Sequence, residues 1–118
     1  MRRAGVPARL EVTGALDDVP ALCATSAYRI VQEGLSNVVK HAPGAAVTVR
    51  LARTARTLEV EVRNERPTGT SNARPGAEQG LRGVRERVGL LSGTLHAAAT
   101  DDGGFLLRAE LPVGREHR

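Results

Sequence analysis

The chain has 118 residues, 41% of them apolar and 25% charged, which is enough for one globular domain with a core and too little for two. The lone Cys23 excludes a disulfide framework and a cysteine-based metal site. No apolar run approaches the ~20 residues of a transmembrane helix, and none follows Met1-Arg2-Arg3 as a signal peptide requires. The net charge of +4 does not make a nucleic-acid surface, because the basic residues are dispersed among acids and Tyr28 and Phe105 are the only aromatics for bases to stack on.

In chain order, Arg9 to Thr13 alternates apolar and polar residues and reads as a short strand closed by Gly14. Pro20 opens a helical turn, and Thr25 or Ser26 is placed to cap the main helix. That helix carries Ala27, Ile30, Val31, Val38 and Ala42 at the three-and-four spacing of a buried stripe, and Pro43-Gly44 stops it. Val47, Val49 and Leu51, then Leu58, Val60 and Val62, recur with period two on either side of a turn at residues 54–56. Opposite charges alternate with them, which predicts an antiparallel hairpin with one buried face.

From Glu65 to Gln79 large apolar residues nearly vanish while Pro and Gly accumulate, so a long functional loop, a lid, is expected there. Gly80 to Leu91 returns to helix, with Leu81, Val84, Val88 and Leu91 inward and Arg82 paired to Glu86 four residues on. Thr94 to Thr100, a turn at Asp101-Asp102-Gly103-Gly104 and the alternation of Phe105, Leu107, Ala109 and Leu111 predict a closing hairpin, with Pro112 to Arg118 as a frayed tail. The sum is a single α/β (α+β) two-layer sandwich, its mixed, largely antiparallel sheet covered on one face by helices.

Two constellations carry chemistry. On the long helix, Arg29, Glu33, Asn37, Lys40 and His41 fall on one strip away from the apolar stripe. An asparagine amide oxygen suits Mg²⁺, which takes oxygen ligands, and Lys40 and His41 suit phosphate oxygens. A solvated polar face is the competing reading of the same spacing. Gly80-x-x-Gly83 opens the second helix, where unpaired N–H groups and the helix dipole favour anions. No Gly-Lys-Ser/Thr follows, so it is not a Walker A loop.

Glu33-x-x-x-Asn37-x-x-Lys40-His41-Ala42, preceded by Tyr28-Arg29-Ile30-Val31-Gln32, resembles the N-box of the ATP-binding domain of bacterial sensor histidine kinases. It is most similar to the subfamily that partners response regulators with helix-turn-helix output domains. Gly80 to Val88, followed by Leu90-Leu91-Ser92-Gly93-Thr94-Leu95, resembles that subfamily's late glycine box, and the likeness covers nearly the whole chain.

The resemblance implies the Bergerat ATP-binding fold, shared with gyrase-type ATPases and the Hsp90 chaperones. It implies Mg-ATP as ligand, with Glu33 as polarising base, Asn37 as the Mg²⁺ ligand, and Lys40, His41, Gly80, Leu81 and Gly83 at the nucleotide. Where the family has Asp-x-Gly-x-Gly, with an aspartate that accepts from the adenine amino group, this chain has Asn64-Glu65-Arg66-Pro67-Thr68-Gly69. Asn64 is then the base acceptor and Gly69 a displaced hinge.

None of His41, His96 and His117 has an acceptor context, and the dimerising helices are missing. The isolated domain is therefore expected to be cytoplasmic, monomeric, without direct membrane contact and unable to autophosphorylate. Its γ-phosphate would go to a separate dimerisation and phosphoacceptor domain of a parent kinase, which could itself be membrane-anchored, and so indirectly to a response regulator. Two alternatives stand beside this: a serine kinase of the anti-sigma-factor type, and a degenerate domain that binds partners without catalysis.

Overall fold

A computed structural model describes residues 8–42, 44–66 and 76–113, except for the side chains of His41 and residues 76–80. Gly69, Pro43, His117 and most of the expected lid lie outside the described residues. Five strands and two helices follow in the order β1 (Ala8–Thr13), α1 (Ala21–His41), β2 (Val47–Arg53), β3 (Thr57–Asn64), α2 (Gly76–Leu90), β4 (Thr94–Ala99) and β5 (Phe105–Pro112). The sheet runs β1-β2-β3-β5-β4; β1 pairs parallel to β2, and every other pair is antiparallel. That is the mixed sheet expected, with α1 and α2 packed together on one face.

Period two decides which face is covered. Leu58, Val60 and Val62 of β3 and Leu107, Ala109 and Leu111 of β5 are buried beneath Cys23, Ala27, Ile30 and Val38 of α1 and Val84 and Val88 of α2. With few aromatics the core is built from branched aliphatics and alanine, so small residues set how near the layers lie. A Cβ on Gly34 would sit 2.8 Å from the Val62 side chain, and only the missing side chain lets α1 rest on β3 at that point. The opposite face is a ladder of alternating charge: Arg50 reaches Glu11 at 3.6 Å and Glu61 at 3.8 Å, and Arg108 reaches Glu59 at 3.6 Å.

Several boundaries differ from those predicted. α1 starts at Ala21, not after Thr25 or Ser26, and has no side-chain cap. Pro20, whose φ is preset for a helix start, offers its carbonyl to the Ala24 N–H at 2.9 Å, and Ala21 to Ala24 are compatible with helix, so nothing halts the helix short of the proline. Ser26 is buried within it. α2 starts at Gly76, four residues before Gly80, because Ala77-Glu78-Gln79 are good helix formers; the last four residues of the expected lid are helix.

At the other end Pro112 closes β5, and Val113 is buried with its N–H on the Arg56 carbonyl at 2.8 Å, so the tail is ordered that far. The Arg82–Glu86 ion pair is absent among the described residues; Arg85 instead reaches the Leu95 carbonyl at 3.5 Å.

Candidate functional site

Three contacts fix where the polar strip of α1 lies. Near its start, the Cys23 thiol donates to the Pro112 carbonyl at 3.2 Å, and Pro112 stands opposite Thr57, the first residue of β3. Burial pushes that thiol's pKa up, although the Arg53 charge opposes this, so Cys23 is a packed thiol and not a nucleophile. Eleven residues further on, Gly34 rests on Val62 near the end of β3. α1 therefore runs along β3 in the same direction, and Asn37, Lys40 and His41 come last, at the Asn64 end.

α2 runs the other way. A Cβ on Gly93, just past its C-terminus, would meet the Glu110 carbonyl and the side chains of Val88 and Leu111, all at the Thr57 end. The start of α2 consequently points back toward the Asn64 end. The second half of α1, the end of β3 and the beginning of α2 thus converge on one end of the sandwich.

Asn64 is the polar group that this end buries. It continues the inward series Leu58, Val60 and Val62, yet carries an amide and is only 8% exposed. It stands in register with Val47 on one side and Phe105 on the other. Its Nδ2 donates to the Glu65 carbonyl at 2.9 Å, while Oδ1 has no donor among the described residues. A buried acceptor without a partner is costly in a folded protein and marks a place where a ligand or water can bond.

The β4–β5 turn closes tightly against Asn64. A Cβ on Gly104 would lie 2.1 Å from the Asn64 carbonyl oxygen, which only glycine permits. That turn is organised by Asp102, which accepts from the Thr100 hydroxyl and from the Gly104 N–H at 3.3 Å; the Thr100 bond first, then the backbone bond, hold its carboxyl below the usual pKa. Arg66 lays its side-chain stem across Gly103.

The other expected residues fall into two groups. Glu33 and Asn37 are half-buried and Lys40 is exposed, and among the described residues none of the three has a hydrogen bond or ion pair through its side chain. His41 closes the same helix, its side chain outside the described set. The glycine box differs from its predicted geometry. Gly80 is the fifth residue of α2, beyond its first turn, and Gly83 lies almost a turn further in. The N–H groups that a helix start leaves without a helical carbonyl belong to the turn ahead of Gly80. A Cβ on Gly83 would meet nothing within 4 Å, so packing does not demand glycine there. Leu81 is half-buried on the core side.

Sequence reasoning missed Gly34 and Gly104, the two close approaches that seat α1 and the β4–β5 turn beside Asn64. The signal for Gly104 was present in the Asp-Asp-Gly-Gly turn; for Gly34 no local pattern exists.

Residues 24–115 match the family described as histidine kinase-, DNA gyrase B-, and HSP90-like ATPases. The chain belongs to this family. It is 40% identical over 76 residues to the signal transduction histidine-protein kinase/phosphatase UhpB of Salmonella typhimurium, a match that spans 62% of this chain and 14% of that protein. It is 28% identical over 89 residues to the sensor protein VraS of Staphylococcus haemolyticus, spanning 75% of this chain and 26% of VraS. The chain thus corresponds to a minor part of the curated relatives it matches.

Among solved structures, the catalytic domain of histidine kinase ThkA superposes with a TM-score of 0.70 at 12% identity, covering 95% of this chain and 83% of that one. The mycobacterial sensor histidine kinase MprB superposes at 0.65 and 20% identity, covering 97% and 88%. These neighbours share the fold of two helices on a five-stranded mixed sheet. Among the described residues no helix is long and apolar enough to cross a membrane.

Proposed function

We propose that this chain is the Mg-ATP-binding catalytic domain of a two-component sensor histidine kinase. It holds ATP at the Asn64 end and delivers the γ-phosphate to a histidine on a separate dimerisation and phosphoacceptor domain, from which the signal passes to a response regulator. The observation that carries this is the convergence of a buried Asn64, whose Oδ1 has no partner among the described residues, with Glu33, Asn37 and Lys40 side chains equally uncommitted among them, at the end where α2 begins.

The residues fit the ligands by chemistry. Asn64 Oδ1 accepts an exocyclic N–H of the base. Lys40, His41 and the start of α2 face phosphate charge, and Gly80 and Gly83 reach it if the first turn of α2 unwinds. Leu81 anchors that helix start, and Gly69 stays the proposed hinge. Among the described residues no cluster of three His, Cys, Asp or Glu side chains exists, so Mg²⁺ would rest on the Asn37 amide oxygen together with phosphate and water oxygens. Bound there, the ion supplies charge neutralisation to phosphoryl transfer, the term that dominates such reactions alongside positioning. Glu33, one turn before Asn37 on α1, would act as the polarising base.

A second reading, a partner-binding domain without catalysis, is favoured by one feature: Asn64 and Arg66 replace the charged acceptor and a flexible glycine. Calorimetric titration with Mg-ATP separates the two. The parent chain should bind, and Asn37→Ala should weaken binding roughly tenfold, the loss of one ion-assisted contact. Its unfolding temperature without ligand should stay unchanged. Equal binding by the variant would make the α1 strip a solvated face.

A further inference from the structure

β1 is the least satisfied element of the fold. All six of its residues are exposed, including Leu10 at 64% and Val12 at 48%. Among the described residues it pairs with β2 on one side and with no strand on its other edge, and neither helix packs extensively over it. Beside it an apolar groove of about 330 Å³ is lined by Leu10, Leu16, Val19, Tyr28, Val31 and Leu51, with Tyr28 itself 64% exposed. An open edge that carries apolar side chains is a template for another strand.

We infer that the β1 edge pairs antiparallel with β1 of a second copy of this chain, joining the two sheets about a two-fold axis at Leu10. Charge selects both the occupant and the register. Opposite residues in an antiparallel pair share a face, so both helix layers stay on one side only in registers centred on a residue. A register centred on Arg9 opposes Arg9 to itself, and one centred on Glu11 opposes Glu11 to itself. The register centred on Leu10 sets Arg9 against the partner's Glu11 twice, Leu10 against the partner's Leu10, and Ala8 against the partner's Val12.

β1 is thus self-complementary in that one alignment. The cross-strand pairs join a ladder already present: Arg9 reaches Glu11 within the strand at 3.7 Å, Glu11 pairs with Arg50 at 3.6 Å, and Arg50 reaches Glu61 at 3.8 Å. On the opposite face the apolar pairs lie next to the two grooves. A contact this short is a concentration-dependent association and not a permanent dimer. It departs from the monomer expected from the sequence, and it stands independently of nucleotide binding.

Sedimentation equilibrium on the intact chain, from about 10 µM to about 1 mM, tests it over the range where small interfaces associate. The parent should shift from monomer toward dimer. Arg9→Glu and Glu11→Lys should each weaken this on the order of tenfold, since each turns two attractive cross-strand pairs into repulsive ones. An equimolar mixture of the two variants should recover dimer, because only the mixed pair is complementary at both positions. Arg9→Lys, which keeps the charge, should behave as the parent. A parent chain that stays monomeric throughout, a dimer indifferent to Arg9→Glu, or a mixture that does not recover would each overturn the proposal.

Discussion

The two ends of the sandwich are built on opposite principles. At the Thr57 end, Cys23, Leu58, Leu111 and Val113 are all at most 5% exposed, and the β2–β3 turn is closed by the Thr54 N–H on the Thr57 carbonyl at 2.9 Å. At the Asn64 end, the inward series of β3 closes on an amide in place of an aliphatic side chain. Among the described residues an amide is buried with one oxygen unpaired, two glycines sit under their neighbours, and the α1 strip leaves an acid, an amide and an ammonium without partners. One end excludes water and holds the layers together. The other stores unmet hydrogen-bonding capacity, which serves stability poorly and ligand binding well.

The largest expected effect breaks the closed end. Leu111 is fully buried, and Leu111→Ala should lower unfolding stability by roughly 2–5 kcal/mol through lost burial and the cavity left behind. A denaturant melt reads this directly; a loss well under that range would mean the closed end is not where stability resides. The next effect sharpens the seam between the ends. Gly34→Ala inserts a methyl 2.8 Å from Val62 and should cost about 1–3 kcal/mol by overpacking. Combining it with Val62→Ala should cost less than the two changes summed, because the second makes room for the first. Additive costs would show that α1 does not rest on β3 there.

Much of the closed architecture was legible in the sequence, and the reason is periodicity. The β2–β3 and β4–β5 hairpins follow from period-two alternation, and the α1 stripe from the three-and-four spacing of Ala27, Ile30, Val38 and Ala42, all four buried. Boundaries were less legible, since helix propensity runs smoothly through Ala21 to Ala24 and Ala77 to Gln79 and only packing or a proline sets the end. β1 misleads for a related reason. Its alternation is that of a half-buried strand, but its place at the sheet edge, without a helix overhead, leaves Leu10 exposed.

The site was legible as a set of residues and illegible as a place. Asn37 and Asn64 are far apart in sequence, and only the direction of α1 along β3 brings them to one end. The glycine box was recognisable by pattern, whereas its position past the first turn of α2 depends on how far the helix propagates upstream, which no motif states.

The central claim is that the open end reads a nucleotide through Asn64. Calorimetric titration of the parent and of Asn64→Asp with ADP and with pyrophosphate tests it most directly. A carboxylate in place of the amide accepts the base N–H more strongly, so ADP should bind about 1 kcal/mol tighter, several-fold in affinity, while pyrophosphate is unaffected. An Asn64→Asp protein that gains nothing for ADP, or gains equally for pyrophosphate, would contradict the account, because position 64 would then not contact the base.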